Sequence, residues 1–308
     1  MRHGMTWAAL LLCGLTARLG AQPAEEAEKP ESRFQPLIVS LKGKLGPDFT
    51  VKQVGMFVVA LDLDKQAGAQ YENLITQIEQ ALYENFFVNR PEYVIKIVLF
   101  KDNASLQKSA KKVAEKSLVM PGGGFYLPYE KVLCVETPMG PWVLKHELTH
   151  ALLHADFRRE KLCPWVDEGM AMLVESATLD GKQIQLRLDG RIQMVYQLMK
   201  AQKLPHLKDV FSMDFATYNS MANRMIGDAM SRNLLFYLHE KGLLIPFYKR
   251  FRGNYGRDRT GIKFIEEIAK KDINAVETDW LAWVNDKTAK HAAGEAGKAP
   301  AEPDQPAP

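Results

Sequence analysis

The pattern His-Glu-x-x-His, from His146 to His150, constrains this chain of 308 residues more than any other feature. Successive residues of an α-helix turn by about 100°, so the two histidines lie about 40° apart and one turn from each other. Glu147 falls about 100° from His146, beside the two imidazole rings. The opposite face is apolar and carries Leu144, Leu148, Ala151, Leu152 and Ala155. Such a helix packs its apolar face on a core and presents two metal ligands on the other.

A catalytic zinc site usually has three protein ligands, and the candidate for the third is Glu168. It follows His150 by 18 positions, in the sequence Trp-Val-Asp-Glu-Gly-Met-Ala of residues 165–171. We predict that this glutamate lies in the first turn of a second helix. The loop before that helix contains Pro164 and can bring the second helix back beside the first.

The two motifs together resemble the gluzincin metallopeptidases, the peptidase-MA-like clan that includes thermolysin and the zinc aminopeptidases. The resemblance covers residues 124–175 closely and the preceding strand–helix–strand pattern more loosely. It implies that His146, His150 and Glu168 bind one Zn²⁺ ion and that Glu147 is the general base. It also implies that an extended substrate chain pairs with a strand at the edge of a sheet. The residues in the corresponding place are Lys131, Val132, Leu133, Cys134 and Val135.

The reaction implied by this resemblance is hydrolysis of a peptide bond. Zinc in such a site lowers the pKa of a water molecule towards about 7 and polarises the substrate carbonyl. Glu147 would accept a proton from that water and transfer it to the departing amine. We therefore expect a zinc-dependent peptidase with Zn²⁺ as its cofactor and a peptide or protein as its substrate.

Two other functions remain open for the same residues. One is a secreted binding or scaffold protein that keeps the zinc fold without turnover, and the other is a zinc amidase acting on a cell-wall amide. Related peptidases carry a Tyr or His on a later helix as a hydrogen-bond donor to the oxyanion. Here that position holds Asp228, and an ionised carboxylate cannot donate a hydrogen bond. The Gly-x-Met-Glu-Asn motif of the zinc aminopeptidases is absent, which argues against that family.

Several side chains are candidates for the missing donor or for a hydrogen bond to a zinc ligand: His154, Asp167, Tyr218 and Asp228. Tyr126 is a further candidate for the donor. Thermolysin-like sites have an acid four residues after the ligand glutamate, where this chain has Met172. We expect Glu175, two helical turns after Glu168, to be a solvated surface charge.

Residues 1–21 are typical of a secretory signal peptide, with Arg2 in a basic start, an apolar run over residues 7–15 and Ala21 at the cleavage position. The apolar run is too short to span a bilayer, which needs about 20 residues. We therefore expect an exported protein, periplasmic or secreted, without stable membrane insertion. Residues 22–33 are an acidic linker and residues 289–308 a tail of small and charged residues, and both compositions favour disorder.

The apolar pattern predicts an α+β fold of zincin-like type. Residues 34–140 contain apolar runs at 54–62 and 93–100 and predict a mixed sheet with helices. Residues 141–288 predict the zinc-site helices and a helical subdomain, with the metal cleft between the two parts. The net charge of +3 gives no support for a nucleic-acid partner. Cys134 and Cys163 follow the leader, and whether they pair is left open.

Overall fold

The computed structural model describes residues 33–114 and 123–295, so the predicted signal peptide, nearly all of the acidic linker and residues 296–308 lie outside the described residues. The strands are β1 (Thr50–Val54), β2 (Phe57–Leu61), β3 (Ile95–Phe100), β4 (Gly124–Leu127), β5 (Val132–Glu136), β6 (Thr178–Asp180) and β7 (Gln183–Gln185). The helices are α1 (Gln35–Leu45), α2 (Lys65–Asn85), α3 (Asn103–Val113), α4 (Pro141–Phe157), α5 (Pro164–Glu175), α6 (Arg191–Lys200), α7 (Leu207–Phe211), α8 (Phe215–Tyr218), α9 (Arg224–Glu240), α10 (Leu244–Asn254), α11 (Ile262–Ala269) and α12 (Ile273–Glu295).

Strands β1 to β5 form one mixed sheet in the order β1-β2-β3-β5-β4. The three inner strands are parallel, and the outer strands β1 and β4 are antiparallel to their neighbours. Side chains alternate between the two faces of a strand, so Val58 and Val98 pack against α1 and α3, whereas Val59 and Ile97 pack against α2 and α4. Burial on both faces explains why the inner strands are almost continuously apolar.

Within the described residues after Phe157, the small hairpin of β6 and β7 is the only β structure, and the other elements are helices. Helix α4 packs on the sheet and on α2, and α5 lies between α4 and α9. The predicted α+β class, with a mixed sheet followed by helices, is confirmed.

Local sequence signals explain where several helices begin. Asp102 caps the start of α3, where its carboxylate accepts the N–H of Ser105 at 2.7 Å. Helices α4 and α5 each begin at a proline, Pro141 and Pro164. Proline suits this position because the N–H group that it lacks would have no partner within the helix. Both helices that carry the candidate metal ligands therefore start at positions determined by the local sequence.

The prediction that Lys131, Val132, Leu133, Cys134 and Val135 offer a free strand edge to a substrate is wrong. Strand β5 lies inside the sheet, with β3 on one side and β4 on the other. Leu133, for example, is paired with Ile97 on β3 and with Tyr126 on β4. The edge strand next to β5 is β4, which precedes β5 in the chain and is joined to it by a tight turn. The order of strands depends on pairing between distant segments, and the apolar pattern of one strand does not encode it.

The predicted disorder from residue 289 is also wrong in part, because α12 continues to Glu295. Buried Trp280 and Val284 anchor this helix, and each further residue then adds one hydrogen bond at little cost. Among the described helices, none is both long and apolar enough to cross a membrane.

Cys134 and Cys163 are both free and buried. Cys134 belongs to the core between the sheet and α1 and α3, whereas Cys163 belongs to the core on the other face of the sheet. The sheet between them explains why they do not form a disulfide.

Asp156, in the last turn of α4, ties this helix to the segment before β3. Its Oδ1 accepts the N–H groups of Val88 at 2.9 Å and Asn89 at 2.6 Å. Its Oδ2 accepts the hydroxyl of Tyr248 at 2.5 Å, and the side chain is fully buried. These bonds fix one end of the helix that carries both histidines.

We predict that Asp156→Ala lowers the free energy of unfolding by about 3 kcal/mol, because several buried donors lose a charged acceptor. Asp180→Ala, at an exposed position of β6, should change it by less than about 0.5 kcal/mol. Chemical denaturation of the two variants measures both values. Equal losses would contradict a structural role for the Asp156 carboxylate.

Candidate metal centre

The structure brings His146, His150 and Glu168 together where α4 meets α5. The Nε2 atoms of the two histidines are 3.1 Å apart. Oε2 of Glu168 lies 3.6 Å from Nε2 of His146 and 3.7 Å from Nε2 of His150. A point equidistant from these three atoms is about 2.0 Å from each, which matches the usual lengths of zinc–nitrogen and zinc–oxygen bonds. The three side chains therefore form a group that could hold a metal ion.

The second ring nitrogen of each histidine is bonded to a largely buried carboxylate. Nδ1 of His150 lies 2.7 Å from Oδ1 of Asp167, and Nδ1 of His146 lies 2.7 Å from Oε2 of Glu175. Because an ionised carboxylate only accepts hydrogen bonds, each Nδ1 carries a proton and each Nε2 can present a lone pair to the common point. Metal-binding histidines usually have such a partner, so the donor set fits a divalent cation.

The charges around this point also favour a cation. Burial lowers the pKa of His146, but the neighbouring carboxylates of Glu168 and Glu175 outweigh burial and raise it well above its ordinary value. Burial raises the pKa of Glu168, but the neighbouring imidazoles of His146 and His150 lower it overall. Positive charge between the rings and the carboxylate is therefore stabilised by the surrounding groups.

Asp167 lies between two histidines, one on each carboxylate oxygen. Its Oδ1 faces the candidate ligand His150, and its Oδ2 lies 2.8 Å from Nε2 of His154, which is buried one turn further along α4. Burial raises the pKa of Asp167, but the charges and hydrogen bonds of His154 and His150 hold it well below its usual range. Asp167 is thus an ionised carboxylate that orients the ring of the candidate ligand His150 and is itself fixed by its bond to His154.

The expectation that Glu175 is a solvated charge is wrong. Its side chain is only 7% exposed, and it accepts hydrogen bonds from His146 and, at 2.6 Å, from Nη2 of Arg191. Burial raises the pKa of Glu175, but His146 and Arg191 outweigh this effect and lower it. Glu175 follows Glu168 by seven residues, so the two share one face of α5. That spacing was the available signal, but only the fold shows that Arg191, the first residue of α6, bonds Glu175 on this face.

Glu147 lies beside the ligands without belonging to their group. It is buried, and burial raises its pKa, although the charges of His146 and His150 oppose the shift. Strand β4 lies against it at Gly124, where an added Cβ would be 3.1 Å from Cγ of Glu147 and 2.6 Å from Cγ1 of Val143. The glycine thus allows the edge strand to contact α4 next to the candidate base.

The two tyrosine candidates for a hydrogen-bond donor lie in different surroundings. Tyr218 is fully buried, and its hydroxyl lies 3.1 Å from Oγ of Ser231. Its ring lies on Gly227, where an added Cβ would be 2.8 Å from a ring carbon. Tyr126 packs edge-on against His154, with ring centroids 5.7 Å apart. In the described part of the chain, neither hydroxyl is hydrogen-bonded to one of the three candidate ligands.

Asp228 is buried on α9 and has an ion-pair contact of 3.8 Å with Arg224. Burial, followed by the charge of Glu168, raises the pKa of Asp228 to about 6. A carboxyl group can donate a hydrogen bond only in its protonated form. At neutral pH, therefore, Asp228 is mainly an acceptor.

Gly169, the residue after the third ligand, allows α9 to approach α5 closely. An added Cβ would lie 3.1 Å from Cβ of Ser231 and 2.9 Å from Cδ1 of Leu235. This contact holds the part of α5 that carries Glu168 against α9.

The described residues thus contain a buried centre of histidines and carboxylates that could bind a metal ion. No protein-family model matches the chain, and a search of curated proteins finds no significant match. The class of protein therefore has to be inferred from the centre and the fold around it.

We predict that Gly169→Ala weakens Zn²⁺ binding by about 10-fold and lowers the free energy of unfolding by about 1–3 kcal/mol, because α9 must move away from α5. Gly253→Ala is the matched control, since this exposed glycine of α10 has no atom within 4 Å of an added Cβ. The control should be neutral or slightly stabilising. Chelator competition and thermal unfolding measure the two effects, and an unchanged Zn²⁺ affinity in Gly169→Ala would contradict the packing argument.

Proposed function

We propose that this protein is an exported zinc-dependent peptidase of the gluzincin type. The observation that carries the proposal is the convergence of His146, His150 and Glu168 with a fourth side chain, Glu147, left outside the ligand group. A structural zinc site usually has four protein ligands, whereas a catalytic site keeps a position open for water or substrate. Three ligands beside a buried carboxylate support the catalytic type.

The residues of the centre have distinct roles in this proposal. His146, His150 and Glu168 hold the zinc ion, which when bound supplies a Lewis acid that polarises a carbonyl and lowers the pKa of water. Glu147 accepts a proton from the attacking water and delivers it to the departing amine. Its raised pKa makes Glu147 a better proton acceptor than an ordinary carboxylate, and the protonated group can then act as the acid that donates to the amine. Asp167 and Glu175 keep the two rings in the orientation that directs Nε2 to the metal.

The edge strand β4 supports a peptide as the substrate. Its partner is β5 on one side, and no strand pairs with its other side among the described residues. An extended chain can add to such an edge through main-chain hydrogen bonds. Gly124 at the start of β4 lies against Glu147, so a chain paired there would run past the base. This replaces the role that the sequence suggested for the residues of β5.

A binding or scaffold protein without turnover is the second candidate. Asp228 stands where the resemblance places a donor to the oxyanion, and the hydroxyl of Tyr218 is already bonded to Ser231. Without a donor the charge that develops on the carbonyl oxygen would be stabilised by the metal alone. A zinc amidase that acts on a cell-wall amide would use the same ligands and base.

We predict that wild-type protein loaded with Zn²⁺ cleaves members of a broad peptide library and that Glu147→Gln lowers the rate by about 10³-fold while Zn²⁺ affinity is kept. Glu92→Gln is the control, because the Glu92 side chain is 73% exposed and lies outside the centre. Mass spectrometry of the digests measures cleavage, and cell-wall fragments are tested in parallel.

Each result separates the candidates. Unchanged cleavage by Glu147→Gln would remove the proposed base. Zinc binding without cleavage of any peptide would favour the scaffold protein, and cleavage of wall fragments alone would favour the amidase.

A further inference from the structure

The two carboxylates behind the candidate ligands are themselves each held by a second donor. Asp167 bonds His150 with one oxygen and His154 with the other, at 2.7 and 2.8 Å. Glu175 bonds His146 with one oxygen and Arg191 with the other, at 2.7 and 2.6 Å. Each ligand ring therefore lies at one end of a row of three hydrogen-bonded side chains, here called a relay. One relay is His146, Glu175 and Arg191, and the other is His150, Asp167 and His154. Arg191 belongs to no group of possible metal ligands among the described residues. His154 lies outside the group of His146, His150 and Glu168, although it forms a second such group with His150 and Asp167.

Arg191 is the more informative of the two because it comes from a third element. It is the first residue of α6, outside the two helices that carry the ligands. Its Nη1 bonds Oδ2 of Asp189 at 2.6 Å, and the same oxygen lies 2.9 Å from Nε of Arg232. Arg232 is fully buried, and its Nη2 donates to Ser176 and to the carbonyl of Arg187. The guanidinium of Arg191 is thus fixed by Asp189 as well as by Glu175.

This arrangement has a direct consequence for the ring of His146. A buried carboxylate with one unbonded oxygen can rotate about its Cγ–Cδ bond to find another donor, and the ring bonded to it would turn with it. Two bonds from Arg191 and His146, one on each oxygen, prevent that rotation. Arginine suits this role because its planar group is always charged and its donors have a fixed geometry.

We propose that Arg191 and His154 are positioning residues for the metal, each acting through one carboxylate on one histidine ligand. The inference rests on the proposed metal site but not on hydrolysis. Arg191 acts on His146 through Glu175, and His154 acts on His150 through Asp167. The metal affinity therefore depends on α6, which supplies no ligand itself.

The test is a double-mutant cycle on Zn²⁺ affinity, measured by competition with a chelator, with no substrate present. Arg191→Met should weaken Zn²⁺ binding by about 10-fold, and Glu175→Gln by about 10–100-fold. If Arg191 acts through Glu175, the double variant should bind Zn²⁺ about as tightly as Glu175→Gln alone. Arg191→Met combined with His154→Leu should instead multiply the two losses, because these residues belong to different relays.

Two further measurements separate positioning from general stability. The absorption spectrum of bound Co²⁺ should change in Arg191→Met, since it reports the geometry of the ligands. Arg191→Lys keeps the charge with a single donor and should recover part of the affinity. Arg257→Met is the control, because this arginine is 63% exposed and contacts only Glu267 among the ion pairs of the described residues. It should leave both the affinity and the spectrum unchanged.

Several results would overturn the inference. These are a Zn²⁺ affinity in Arg191→Met within twofold of wild type, or independent losses for Arg191→Met and Glu175→Gln. A wild-type protein that takes up neither Zn²⁺ nor Co²⁺ would overturn the inference and the proposed function together. A wild-type protein that binds Zn²⁺ and shows the expected cycle but cleaves no peptide would support the inference and overturn the proposed peptidase.

Discussion

The contact between α4 and α5 is the constraint on which the candidate metal centre depends. Helix α4 carries both imidazole rings, and its apolar face packs on the sheet and on α2, so the core fixes the direction of the rings. Helix α5 supplies Glu168, and Gly169 allows α9 to pack closely against α5. Metal–ligand bonds tolerate only a few tenths of an ångström, so a shift of either helix would remove a ligand from the group.

The same contacts pair the several charged groups that the fold places close together in its interior. A carboxylate removed from water destabilises a fold unless it is paired and hydrogen-bonded. Asp167 is paired with two histidines, and Glu175 with a histidine and an arginine. The bonds that satisfy these carboxylates also orient the candidate ligands. Stability and the geometry of the candidate ligands therefore depend on one network, and a substitution in it is expected to affect both.

Prediction from the sequence succeeded where a structure depends on neighbours in the chain. The helix of His146 and His150 and the second helix that carries Glu168 both form as predicted, because periodicity and helix starts are encoded in neighbouring residues. It failed where distant segments meet. The edge strand proved to be β4 instead of β5, and the short helices α7 and α8 were not predicted at all. Glu175 was taken for a surface charge because nothing near it in the chain indicates that Arg191 covers it.

The sequence by itself determined that two histidines and a glutamate share one helix, with the rings one turn apart, because the pitch of an α-helix sets those positions without any tertiary contact. The tertiary structure decided that Glu168 lies close to both rings, that Asp167 and Glu175 bond the Nδ1 atoms of His150 and His146, and that β4 borders the centre. Each of these contacts joins segments that are remote in the chain. Their positions follow from how the sheet and helices pack, and no local pattern of residues records that packing.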